Sequence, residues 1–117
     1  MGNVIKAKAG NIIISKEVIA FLAGMAVIEC YGIVGMASGK MKDGIDEVLK
    51  RENISRGVIV NISDNSLTLQ LNIIVGYGTK ISEVAQNVIG KVKYAVENVT
   101  ELKIDRVYIN VKGVRVI

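Results

Sequence analysis

Residues 15–36 read SKEVIAFLAGMAVIECYGIVGM, and between Glu17 and Lys40 the only formally charged residue is Glu29. The opening Ser-Lys-Glu has the form of a helix start. Ser15 can accept from an orphan backbone N–H, and Glu17 stands in the first turn, where the helix dipole favours an anion. Beyond that turn the stretch is apolar almost all the way round: Val18, Ile19, Phe21, Leu22, Met25, Val27 and Ile28, spaced by Ala20, Ala23, Gly24 and Ala26. A helix with no broad polar face must be covered on more than one side. The rest of the chain therefore has to supply a sheet for one side and leaves a partner to be sought for the other.

A bilayer span is the competing reading of this stretch, because the residues from Val18 to Ala37 carry one charge. Glu29 falls just past its middle, Gly32 and Gly35 weaken the helix beyond it, and the later elements need something to pack on. A buried helix is the expectation, with no transmembrane span. No secretory leader is expected either, since the first fifteen residues lack a long apolar core.

The chain of 117 residues is expected to form one domain (1–117), its residues half apolar but only 4% aromatic, so the core is aliphatic. Fifteen Lys and Arg against eleven Asp and Glu give a net charge of +4. The excess is scattered over small clusters such as Lys6 and Lys8 or Lys91 and Lys93, and permits an anionic partner without demanding one. The lone Cys30 rules out an intrachain disulfide and suits a reducing compartment. Without histidine, imidazole acid–base chemistry and His-ligated metal sites are excluded.

Taken in order, residues 1–9 are weakly patterned and expected to be weakly ordered, and Asn11–Ile14 reads as a short strand. The apolar helix then ends near Tyr31, with Gly32 as its stop. Residues 32–57 form the irregular region, with two helical turns allowed over 43–51 and a mobile loop expected at 37–44, where Gly and Lys concentrate. Val58–Ser63 and Leu67–Val75 predict a hairpin. The second strand alternates Leu67, Leu69, Leu71 and Ile73 with Thr68, Gln70 and Asn72, which means one covered face and one wet face. After Gly76-Tyr77-Gly78, Thr79 is expected to cap a second helix whose Ile81, Val84, Ala85, Val88, Val92, Ala95, Val96 and Val99 keep helical spacing. A last strand over 103–112 turns Val107, Ile109 and Val111 inward. The predicted fold is α+β: a two-layer sandwich of βαββαβ order, with two helices on one face of a four-stranded, mainly antiparallel sheet.

Each motif has a plainer account. Gly39-Lys40 lacks the phosphate-loop pattern, because Val34 stands where a Gly is needed and Met41 where a hydroxyl is needed. Gly32-Ile33-Val34-Gly35 has the GxxG form of a KH loop, but its two aliphatic centres favour a helix exit tucked into the core. The resemblance of Ile74–Gly78 to a channel filter is coincidental, since no pore helices flank it. The turn into the second helix is a candidate anion site through Gly78, Thr79 and Lys80, weighed against a plain turn. Glu29 is either a buried carboxylate or, more in keeping with its place, a helix-end group reaching solvent. Cys30 reads as a small core residue, with no His beside it to make it a nucleophile. No catalytic, cofactor-binding or metal-binding residue is identified.

Two blocks together resemble the alkaline shock protein family of Gram-positive bacteria, the envelope stress response proteins. The first is Gly10–Ile19 through Ala26, then Glu29 and Gly32–Met36. The second is Val75–Gly78 through Glu83-Val84-Ala85, Val88, Val92-Lys93, Val96-Glu97, Thr100, Leu102 and Val107 to Val114. Both stand in the family's order and spacing from residue 10 onward. Cys30 occupies a position where the family more often has a small or branched apolar residue, and Leu102 follows Glu101 where many members carry Gly. The lack of long charged extensions resembles the compact branch of the family. The resemblance implies a cytoplasmic, non-enzymatic protein linked to cell-envelope homeostasis, some members being held at the membrane by a separate anchor protein. No catalytic residues come with it.

The expected function is therefore that of an interaction or scaffold module without cofactors, acting from the cytoplasmic side, at the inner membrane face, through self-association and an envelope-associated protein partner. Surplus apolar surface around Phe21, Met25 and Ile28 is expected to be met by a second chain, a two-fold dimer being the default. The rival is that residues 45–54 fold back over Phe21. The alternative function is a small basic RNA-binding module, which the lack of aromatics to pair with Tyr108 disfavours.

Overall fold

The computed structural model describes residues 3–7, 10–38, 48–63 and 66–116. Its elements run β1 (Asn3–Ala7), β2 (Gly10–Ile14), α1 (Lys16–Ile28), β3 (Ile33–Met36), a 3-10 segment (Arg51–Gly57), β4 (Val58–Ser63), β5 (Ser66–Gly76), α2 (Ile81–Thr100) and β6 (Ile104–Arg115). The fold is the predicted α+β arrangement, helices against a four-stranded, mainly antiparallel sheet.

β5 is the axis of that sheet. Along one edge it pairs with β6 in parallel, from Leu67↔Ile104 to Gly76↔Arg115. Along the other it holds β4 antiparallel against Ser66–Leu71 and β3 antiparallel against Ile73–Val75, so these two strands lie end to end. The parallel pairing follows from connectivity: α2 carries the chain back to the start of β5 before β6 begins. Side chains of the predicted inward set, Leu67, Leu69, Leu71 and Ile73, are all buried. They meet an α2 stripe of Val84, Val88, Val92 and Val96, and Ile19, Ala23 and Val27 of α1, in a single core. Val107 and Ile109 pack on that core half-buried, as an edge strand allows.

The fourth strand of the sheet is not the one expected. Residues Gly10–Ile14 do form a strand, but they pair with Asn3–Ala7 in a separate two-stranded hairpin. Only Ser15 separates β2 from α1, so the chain has no slack to lay that strand beside β5. Its place is taken by Ile33–Met36, inside the region read as irregular. The turn at Gly32 makes this possible. Its φ is +87°, a left-handed conformation, and an added Cβ would fall 2.6 Å from Val84 Cγ2. The Gly32 carbonyl then accepts from Gly76 N–H at 2.9 Å, docking the helix exit onto the end of β5.

The polar face of β5 is also less wet than its sequence suggests. Thr68 and Gln70 are half-buried, Asn72 is 3% exposed, and Ile74 on the same face is fully buried. Asn110 Nδ2 donates to Asn72 Oδ1 at 3.1 Å, which supplies the buried amide with a partner. Beside Ile74, Gly35 lies so close under Val48 that a Cβ there would be 2.6 Å from Val48 Cγ1. Ala37 continues β3 by donating to the Asn72 carbonyl and bridging to Val48. Most of the expected mobile loop, and most of the helical turns allowed over 43–51, lie outside the described residues. The segment that is described there, Arg51–Gly57, is 3-10 helix and seats Ile54 against Gly24 of α1.

Candidate interaction surfaces

α1 begins as the sequence indicates: Ser15 Oγ accepts from Val18 N–H at 3.2 Å, and Glu17 sits in the first turn. The helix packs against α2, the 3-10 segment, β3 and β4. These neighbours cover Ile19, Ala20, Ala23, Gly24, Ala26 and Val27, the small residues allowing close approach. The remaining arc is apolar too. Val18, Phe21, Met25 and Ile28 recur at three- and four-residue spacing and form one stripe. Phe21 is 47% exposed and Val18 49%, while Met25 and Ile28 are partly buried. The 3-10 segment seats Ile54 over Gly24, while Phe21 stays 47% exposed; residues 45–47 of the rival segment lie outside the described residues. The sequence pointed to Phe21, Met25 and Ile28 but not to Val18, which the same spacing, run back one turn, would have found.

The hairpin β1–β2 adds a second apolar feature that the sequence did not single out. Ile12 and Ile13 are consecutive in an extended strand and so point to opposite faces. Both are exposed, at 52% and 70%, so neither face of the hairpin is covered at these positions. Of the three consecutive Ile, Ile14, next to α1, is the one that packs on the core. The signal was the run of three Ile, which a strand covered on one side would not need.

The candidate anion site is drawn differently from its expectation. Thr79 does not cap α2: its hydroxyl donates to the Gly76 carbonyl at 2.7 Å, across a turn that Gly78 closes with φ +90°. Lys80 is the N-cap, with no side-chain capping bond, and its Nζ lies 4.0 Å from Glu83 Oε1 with both groups exposed. Gly78, Thr79 and Lys80 are thus adjacent at a helix start, with the hydroxyl already engaged. Glu29 is exposed at the C-cap of α1, which removes the buried-carboxylate reading. Cys30 is part-buried and its Sγ donates to the Ala26 carbonyl at 3.4 Å. Burial pushes its thiol pKa up, against the pull of Lys91 and with a small push from Glu29, the reverse of what a nucleophile needs. Among the described residues, no group of His, Cys, Asp and Glu could hold a metal ion. No helix among them is long and apolar enough to cross a membrane.

These surfaces define an α+β domain with exposed apolar features and no assembled acid–base constellation among its described residues. The chain belongs to the alkaline shock protein 23 family, whose description is cell envelope-related function and whose profile matches residues 4–116. It is similar to the uncharacterised protein YloU of Bacillus subtilis (strain 168), 54% identical over 113 residues that cover 96% of this chain and 94% of that one. It is also similar to the uncharacterised protein Spy1614 of Streptococcus pyogenes serotype M6, at 36% identity over 97% of this chain and 94% of that one. A further relative, YqhY of Bacillus subtilis, is 30% identical over 91% of this chain and 78% of its own. No solved structure matches the chain.

Proposed function

We propose that the chain is a non-enzymatic interaction module of the cell envelope that self-associates through α1 and works at the inner membrane face with a protein partner. The observation that carries this reading is the stripe Val18, Phe21, Met25 and Ile28, apolar along the length of a helix whose other sides are already packed. Contiguous apolar surface of this kind is uncommon on a monomer and marks an interface. A two-fold dimer is the economical form, since one patch then serves both chains. The envelope-related description of the family supports the site of action. Light scattering at micromolar concentration tests the reading: a dimer for the unmodified chain and a monomer for Phe21→Glu are expected. A monodisperse monomer without the substitution would refute it.

RNA binding is supported by one feature, the sheet face opposite the helices, where Tyr108 is 47% exposed between the exposed Arg106 and Asn110. A single aromatic gives one base a stacking platform where RNA-reading sheets use two or three. Filter binding with labelled single-stranded RNA at rising salt decides it; retention lost on Tyr108→Ala would favour RNA over the dimer module.

A further inference from the structure

The two outer edges of the sheet differ in a way that self-association through α1 does not use. β6 is long, but its pairing with β5 is broken by irregularities near Asp105 and Lys112, and it carries charged side chains at both ends. Bulges and charges are the devices that discourage a further strand from adding to an edge. β4 has none of them. Its sequence, VIVNIS, has no charge and no Pro, and its register with β5 runs unbroken from Val58↔Leu71 to Ser63↔Ser66.

The hairpin fixes which backbone groups of β4 face outward. A loop closing on Ser63↔Ser66 turns the N–H and C=O of Ile59, Asn61 and Ser63 toward β5, and those of Val58, Val60 and Ile62 away from it. The Val58 N–H agrees: it donates to the Ser55 carbonyl and not to β5. No described strand pairs with Val60 or Ile62 on that side. Directly under this edge, between β4 and the start of α1, lies an open cleft of about 450 Å³. Its floor is Ala20, Val58 and Val60, and its rim is Lys16, Glu17, Ser55 and Arg56. Lys16 and Arg56 are exposed and form no ion pair among the described residues, and the N-terminus of α1 adds positive potential to theirs. The rim is therefore net positive despite Glu17.

We infer that the β4 edge and this cleft form a docking site for an extended, acidic segment of a partner protein. Such a segment would add to the sheet as a strand, its backbone pairing with Val60 and Ile62, alternate β-branched side chains entering the cleft, and its carboxylates meeting Lys16 and Arg56. The inference deepens the interaction-module reading and rests on it, but it uses a different surface from the α1 stripe.

The probe is a fluorescein-labelled ten-residue peptide alternating valine and threonine between aspartates, compared with the same peptide ending in lysines. Saturable polarisation is expected for the acidic peptide only, and in ¹⁵N-labelled protein the amides of Val60 and Ile62 should shift most. The surface double variant Lys16→Glu/Arg56→Glu, which leaves the core untouched, should weaken the acidic peptide at least about tenfold and admit the lysine one. Ile62→Pro, which deletes an outward N–H, should weaken the acidic peptide without admitting the lysine one. Shifts confined to β6 or to Tyr108, or no shift at millimolar peptide, would overturn the inference. So would movement of the Val60 and Ile62 amides on concentrating the protein alone, which would assign the edge to a second copy. Light scattering on the same samples reports the α1 stripe separately. A peptide failure with the dimer intact therefore removes this site and leaves the module reading standing.

Discussion

Glu97 and Ile104 are joined across the exit of α2: the backbone N–H of Ile104 donates to Glu97 Oε2 at 2.8 Å. The bond ties the last turn of the helix to the first residue of β6, which is itself buried. Thr100 fastens the same corner, donating to the Val96 carbonyl at 2.6 Å and accepting from Leu102 N–H at 3.2 Å. Removing the acceptor strands a buried donor, so Glu97→Ala should cost about 1–3 kcal/mol in urea unfolding. Glu97→Gln keeps an oxygen in place and should cost clearly less. Equal losses for the two would show that the negative charge, and not the acceptor, matters.

The same corner contains the one non-glycine residue with positive φ among those described, Glu101 at 61°. It follows the helix as a left-handed cap, with its N–H bonded to the Glu97 carbonyl at 2.8 Å. A side chain there is strained, and Gly is the residue such a cap favours. Glu101→Gly should stabilise the protein by about 1 kcal/mol, the relief being partly offset by the extra freedom of Gly in the unfolded chain. A lower melting temperature for the variant would count against the strain.

Two glycines give opposite expectations for one substitution. Gly90 lies on the exposed side of α2, and a Cβ there meets nothing within 4 Å. Gly90→Ala should therefore raise stability by about 0.8–1 kcal/mol through helix propensity. At Gly57 a Cβ would fall 2.8 Å from the Ala37 carbonyl oxygen and 2.9 Å from Met36 Cβ. Gly57→Ala should destabilise by about 1–3 kcal/mol, because backbone and core must both shift. Denaturant midpoints of the two variants measured together decide the comparison.

Much of this fold is legible in the chain, and the limits have a physical pattern. Leu67 to Ile73 and Val84 to Val96 announce their buried faces because periods of 2 and 3.6 are local properties. The strand Ile33–Met36 escaped because it is four residues long, contains Gly35, and owes its existence to pairing with residues some forty positions away. Ile54 sits in RENISRG, which has no period, and is buried only because Gly24 leaves room for it. The cleft beneath β4 was equally hidden, since which edge of a strand stays unpaired is decided by the whole sheet. Phe21 was legible for the opposite reason: α1 has more apolar side chains than its neighbours can cover.

Cys30 offers a pH-dependent check on the helix exit. Burial raises its thiol pKa above the ordinary 9.0. Iodoacetamide labelling at neutral pH should be slower in the folded protein than in urea, and the folded rate should start to climb at a higher pH. The linkage has a fixed sign. The unfolded chain releases the thiol proton first, so this contribution to stability is complete below pH 9.0 and is lost as pH rises through the folded value. Faster labelling of the folded protein at neutral pH would mean an accessible thiolate, and the exit of α1 would need redrawing.

Exposure by itself does not predict an interface on this protein, and that gives the self-association proposal its sharpest test. Tyr94 and Val99 of α2 are more exposed than Phe21 or Val18, at 70% and 64%, yet polar and charged residues interrupt the surface around them. Val18 and Phe21 belong instead to a stripe that Met25 and Ile28 continue along α1. Half-exposed side chains lose little folding energy when made polar, so Val18→Glu and Phe21→Glu should each still unfold cooperatively in urea, with stability lowered mainly by the linkage that dimerisation adds to the parent. Each should nonetheless convert a dimer to a monomer at micromolar concentration, because a carboxylate would be buried against its own symmetry mate. Tyr94→Glu and Val99→Glu should leave the mass unchanged. If the α2 variants dissociate the protein and the α1 variants do not, the interface lies on α2 and the stripe needs another occupant.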